Sequence, residues 1–102
     1  MSASKFAVRL LSVAEEDLSE AITFIAADNP TAAMVLAEKI ENSLNELARH
    51  PRIGRVPDDP NLMQMGYRYL VVENYLIFYV LEERVVIIHR ILHGARNYRD
   101  LL

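Results

Sequence analysis

The sequence has no cysteine and no tryptophan, only three glycines among its 102 residues, and no lysine after Lys39. Without cysteine there are no disulfides, thiolate metal sites or thiol nucleophiles. A reducing compartment is then the natural home, so a cytoplasmic location is expected. No apolar run approaches the roughly 18 residues that a membrane span needs, and the N-terminus lacks a signal-peptide core, so no membrane partner is expected. His89 and His93 have no carboxylate cluster beside them, which argues against a metal site. No cofactor is expected either.

What is present is an ordinary globular balance of 52% hydrophobic and 25% charged residues, enough for one core and too short for two. One domain, residues 1–102, is expected. The net charge of -3 hides an asymmetry: residues 1–48 carry three basic and eight acidic side chains, residues 49–102 eight basic and six acidic. The eight later cations are all arginine, the residue suited to bidentate contact with carboxylate or phosphate. Simple solvation explains any single one; the clustering is what suggests function.

Along the chain, Phe6 to Leu11 alternates as a short strand. Ser12 and Glu15 have capping-box spacing, which predicts a helix from Val13 to Ala27 with Ala14, Leu18, Ala21, Ile22 and Ile25 buried and Glu16, Asp17 and Glu20 left to water. Asn29-Pro30 predicts a second helix start. Its apolar stripe is Ala33, Leu36, Ala37, Ile40, Leu44 and Leu47, and Pro51 ends it near Arg49. With so short a link the two helices form an antiparallel hairpin. Pro51 to Met65 has three prolines and no periodicity, so it reads as a long loop of the kind often tied to function. Gly66 to Val72, Tyr75 to Leu81 and Arg84 to Leu92 read as a three-stranded meander, and Gly94 to Leu102 has room for one helical turn. The fold class is therefore α+β, with an N-terminal strand and a helical hairpin on one face of an antiparallel sheet.

Two-residue turns at Glu73-Asn74 and Glu82-Glu83 would set Arg68 opposite Tyr79 and Tyr75 opposite Arg90. One face would then gather Arg68, Tyr75, Tyr79, Arg84 and Arg90, and the helices would cover the face bearing Tyr67, Tyr69, Phe78 and Ile87. The open face would be a cationic, aromatic concavity suited to phosphate contact and base stacking. His93, beside Gly94, is a candidate acid, base or hydrogen-bond donor.

The order of these elements resembles the RelE/ParE superfamily of type II toxin–antitoxin toxins. The resemblance is carried by Ala14-Glu15-Glu16-Asp17-Leu18, Asn29-Pro30-Thr31-Ala32-Ala33, His50-Pro51 to Gly54-Arg55, Gly66-Tyr67-Arg68, Asn74 to Tyr79, and Arg90-Ile91-Leu92-His93-Gly94-Ala95-Arg96-Asn97. It implies growth arrest, relieved by a cognate antitoxin that wraps the toxin, with a toxin–antitoxin heterotetramer as one assembly. Two mechanisms occur in the superfamily. ParE-like members poison DNA gyrase; RelE-like members cut mRNA on the ribosome without a metal. The His93 to Asn97 run and the Pro51 to Pro57 segment look more like the ParE branch. The post-helix loop has no lysine where a nuclease usually has one, and an acidic chain is an unusual ribosome binder. Gyrase poisoning is the favoured expectation and mRNA cleavage the alternative. A third reading is a non-toxic module that only binds its antitoxin. For contact with the target the resemblance points to Arg55, Arg68, Arg90, His93, Arg96 and Tyr98. For a nuclease it points to Arg68, Arg90 and His93 as catalytic, with Tyr98 as a further proton carrier.

Overall fold

Asn29 starts the longest helix in the way its sequence predicts. Its side-chain oxygen accepts the Ala32 N–H at 3.0 Å, and Pro30 occupies the first turn, where its missing N–H costs nothing. The structure, a computed structural model, describes residues 5–102. Strand β1 (Ala7–Leu10) leads into helix α1 (Ser12–Ala26), then α2 (Pro30–Arg49), a short α3 (Pro60–Gln64), and strands β2 (Arg68–Val72), β3 (Tyr75–Glu82) and β4 (Val85–His93), with a 3-10 turn at Tyr98–Asp100. The capping box expected at Ser12 is not formed: Leu11 holds the cap position of α1 with no side-chain bond. The segment expected as pure loop contains α3. There Asp59 Oδ1 accepts the Asn61 and Leu62 N–H groups at 2.9 and 3.2 Å.

The sheet order is β1-β4-β3-β2. The meander is antiparallel as expected, but β1 lies parallel to β4, Ala7 opposite Val85 and Leu10 opposite Ile88, so the sheet is mixed. Arg68 does face Tyr79, and Val72 faces Tyr75. The second turn, however, is Glu83-Arg84, because Glu82 pairs with Val85. A register break between Phe78 and Tyr79 leaves His89 as an extra residue, with Phe78 opposite Arg90 and Tyr79 opposite Ile88. Such a bulge reverses which face the following residues reach. Tyr75 therefore meets His93 and not Arg90.

This overturns the expected facing. The helices cover Val72, Ile77, Tyr79, Val86, Ile88 and Ile91, packed with Ala14, Leu36, Ile40 and Leu47. The opposite face builds a second core from Leu62, Tyr67, Phe78 and Leu92, onto which Tyr69, Tyr98, Leu101 and Leu102 close. Both faces of the meander are apolar, so alternation alone did not distinguish them. Ala37, expected in the buried stripe of α2, is exposed.

Both hairpin turns place a glutamate in the left-handed region, Glu73 at φ 53° and Glu83 at φ 55°, where an L side chain is disfavoured by about 1–2 kcal/mol. Glu83→Gly is accordingly expected to raise stability by roughly 0.5–1 kcal/mol after the entropic cost of glycine. Thermal melts of the single variant measure this.

Candidate functional site

The cations do not converge on one surface. Arg68, at the start of the edge strand β2, turns to the loop after α2 and donates through one terminal nitrogen to the Arg52 and Gly54 carbonyls at 3.2 and 3.0 Å. The same loop is held from below by Tyr79, which is fully buried. Its hydroxyl donates to the Pro51 carbonyl at 2.7 Å and accepts the Gly54 N–H at 2.9 Å. Burial raises the Tyr79 pKa, against the lowering by that backbone bond and by the Arg68 charge. Arg55 extends the edge by a single antiparallel bridge to Tyr69, with N–H···O distances of 2.8 and 2.9 Å. Residues opposite one another in such a bridge point to the same face, so Arg55 projects to the face of Tyr69 and away from that of Arg68, the residue before Tyr69.

Arg90 is closed off more completely. Its guanidinium grips both oxygens of Asp17 on α1 at 2.7 and 2.8 Å, and a third nitrogen donates to the Leu101 carbonyl at 3.1 Å. Asp17 also accepts the Ile91 N–H at 3.0 Å. Their side chains are only 16% and 9% exposed, so the residue expected to be left to water is instead the anchor that joins α1 to β4. The hydrogen bond to Asp17 is the main cause that raises the Arg90 pKa, with the Asp17, Glu20 and Glu16 charges adding to it against desolvation. Asp17 was legible in principle, since Ala14, Asp17, Leu18 and Ala21 follow the i, i+3, i+4, i+7 rule for one helix face.

His93 and Arg96 lie at the other end of the sheet, both exposed. Together with Tyr75, Phe24 and Glu20 they border a groove of about 400 Å³ beside α1. The His93 ring meets Tyr75 edge-on at 5.4 Å, and its Nδ1 accepts the Ala95 N–H at 3.1 Å, which leaves Nε2 to solvent. Tyr98 packs on Phe78 with ring centroids 4.9 Å apart, and Arg99 pairs with Asp59 at 2.9 Å. Through Tyr98, Leu101 and Leu102 the C-terminal tail packs against the second core.

Since Arg68 faces Tyr79 and His93 faces Tyr75, the two are separated by roughly 13 Å along the strands and about 10 Å across two strand spacings. They cannot flank a single phosphate while Arg68 keeps its carbonyl partners.

A sequence model for the ParE toxin of the type II toxin–antitoxin system parDE matches residues 8–98. The chain belongs to the ParE toxin family. Among solved structures, the family fold is shared with a chain of the chromosomal ParDE toxin–antitoxin system of P. aeruginosa: TM-score 0.72, 18% identity, covering 88% of this chain and 97% of that one. A chain of the RelBE2 toxin–antitoxin complex of Mycobacterium tuberculosis gives TM-score 0.62 at 21% identity, covering 93% and 98%. No curated protein matches the sequence. The two structures carry the fold; the ParE assignment comes from the sequence match. No helix among the described residues is long and apolar enough to cross a membrane.

His89, the bulge residue of this ParE-family chain, sits half-buried with its Nδ1 at 2.9 Å from the Tyr67 hydroxyl. Burial holds its pKa below the ordinary value of 6.5. As pH falls through that value the unfolded chain takes up a proton that the folded chain resists. Stability from this group is therefore fully present above about pH 6.5 and declines as the pH is lowered further. Melts from about pH 8 to about pH 5 should show the loss, and His89→Leu should reduce its slope.

Proposed function

We propose that this toxin arrests growth by poisoning DNA gyrase, and that a cognate antitoxin neutralises it. The observation that carries this reading is the enclosure of Arg90 by Asp17 and the Leu101 carbonyl. A metal-free nuclease must bring cations and a proton carrier to one phosphate to stabilise its developing charge. Of the three residues that chemistry would use, Arg90 is held by an internal carboxylate, Arg68 by loop carbonyls, and His93 stands at the far end of the sheet. Gyrase poisoning asks only for a shaped protein surface. The match to the ParE toxin model over residues 8–98 supports the same choice. Arg55, Arg96 and His93, all exposed, are the residues offered for contact with the target, and the antitoxin is the second protein partner.

The test is a plasmid assay with purified chain, gyrase and ATP. The expected result is accumulation of linear plasmid covalently bound to gyrase, in proportion to the toxin added and absent without gyrase. Ribosome-dependent cleavage of mRNA with no gyrase adducts would replace this reading by the nuclease one. Neither activity, in a chain that still binds its antitoxin, would leave the binding-module reading.

A further inference from the structure

The loop after α2 turns every third residue inward. Pro51, Gly54 and Pro57 are buried, whereas Arg52, Ile53, Arg55 and Val56 between them are exposed. This stretch has no helix and only the one bridge to Tyr69, yet each residue from Pro51 to Arg55 has a main-chain group in a hydrogen bond. Tyr79 holds the Pro51 carbonyl and the Gly54 N–H, Arg68 the Arg52 and Gly54 carbonyls, and Tyr69 both groups of Arg55, while the His50 carbonyl accepts the Ile53 N–H at 3.2 Å. A surface loop that only connects two elements can leave such groups to water. Here they are fixed, so the four exposed side chains start from one defined backbone shape and less freedom is lost when they are bound. The two apolar ones are each 45% exposed. Neither arginine is in an ion pair among the described residues, and residues 50–57 contain no carboxylate side chain. Free cations beside aliphatic side chains complement a surface on which carboxylates border an apolar recess. Nucleic acid fits less well, because isoleucine and valine have no ring to stack on a base.

We propose that Arg52 to Val56 form the recognition loop through which this toxin docks on an acidic protein surface of its target, with Arg52 and Arg55 meeting carboxylates and Ile53 and Val56 filling the apolar recess beside them. The proposal rests on the gyrase reading above and deepens it, adding Arg52, Ile53 and Val56 to Arg55 as contact residues and giving the chemistry of the surface they meet.

The experiment uses the purified full-length chain with gyrase, plasmid and ATP, and reads the toxin concentration that gives half-maximal linear plasmid at low and high salt. Ile53→Asp and Arg55→Glu alter exposed side chains and should leave the circular dichroism spectrum and melting curve of the chain unaltered. Each is expected to raise that concentration about tenfold or more, and Arg55→Glu should also lessen its salt dependence. Arg55→Lys keeps the charge and should stay closer to the unaltered chain than to Arg55→Glu. Should Ile53→Asp disturb the melting curve, Val56→Asp makes the same test at the second apolar position. If the folded variants act at the same concentration as the unaltered chain, the proposal is wrong and the gyrase reading stands. If the unaltered chain yields no gyrase adduct at all, that reading fails and the proposal with it. Ribosome-dependent mRNA cleavage that is lost in Arg55→Glu and kept in Ile53→Asp would make the loop a nucleic-acid contact and overturn the proposal.

Discussion

Asp17→Ala is expected to lower the unfolding free energy by about 3–5 kcal/mol, the range for stranding one partner of a buried ion pair. The change leaves the Arg90 guanidinium in a site 16% exposed with only the Leu101 carbonyl for company, and it strips the Ile91 N–H of its acceptor. α1 would lose its polar anchor to the half of β4 that lies beyond the reach of β1, which pairs only as far as Ile88. For a chain of 102 residues such a loss lowers the melting temperature by something on the order of 15–30 °C. Removing both charges should do much less harm. Asp17→Leu combined with Arg90→Met replaces the pair by apolar side chains of similar reach, and such exchanges are often neutral or even stabilising. A thermodynamic cycle over the single and double variants, followed by urea unfolding, measures the difference directly. Equal losses in the single and double variants would contradict the pairing.

The second large effect is expected at Gly54. A Cβ placed there would lie 2.5 Å from the Tyr79 hydroxyl oxygen and 2.7 Å from its Cε1, and Tyr79 is fully buried with no room to retreat. Gly54→Ala should therefore cost about 1–3 kcal/mol through overpacking. Tyr79→Phe keeps the ring but leaves the Gly54 N–H and Pro51 carbonyl, both buried, without their partner, at about 1–3 kcal/mol for each group left unsatisfied. The two changes act on the same contact, so their effects should not add. With the hydroxyl gone, the alanine methyl meets less obstruction, and Gly54→Ala in the Tyr79→Phe background should cost less than it does alone. Unfolding curves for the three variants check this. Strict additivity would mean that the loop is positioned by something other than Tyr79.

Much of this architecture was readable from local chemistry. Asn29 and Pro30 announced α2, Pro51 ended it, the apolar spacing of Ala14, Ala21, Leu36, Ile40 and Leu47 marked the buried helix faces, and the Val72–Tyr75 and Arg68–Tyr79 pairs of the first hairpin followed from a two-residue turn. These features are set within a few residues. The facing of the sheet is not. It depends on the bulge at His89 and on a turn shifted to Glu83-Arg84, and neither position carries a glycine or asparagine to signal it. Because both sides of the meander are apolar, a one-residue error in parity met no contradiction in the sequence.

The candidate site suffered from the same error. Arg68, Arg84 and Arg90 were expected together on an open face, whereas Arg84 lies over the Phe6 ring at 4.8 Å, Arg68 binds the post-helix loop, and Arg90 binds Asp17. An arginine amid apolar strand residues does require a partner. For Arg90 that partner is 73 positions away in sequence, a distance over which single-sequence patterns carry no information about pairing. Tyr79 and Gly54, which fix the loop, were likewise invisible as a pair, being joined only through the tertiary fold.

With the arginines of the meander serving the fold, toxicity is not expected to depend on the Arg90 guanidinium. The most direct measurement is growth arrest by the Asp17→Leu, Arg90→Met chain, with folding verified by its melting curve. The expected result is a folded protein that still arrests growth as the unaltered chain does. A folded double variant that has lost toxicity would contradict it and return Arg90 to the working surface.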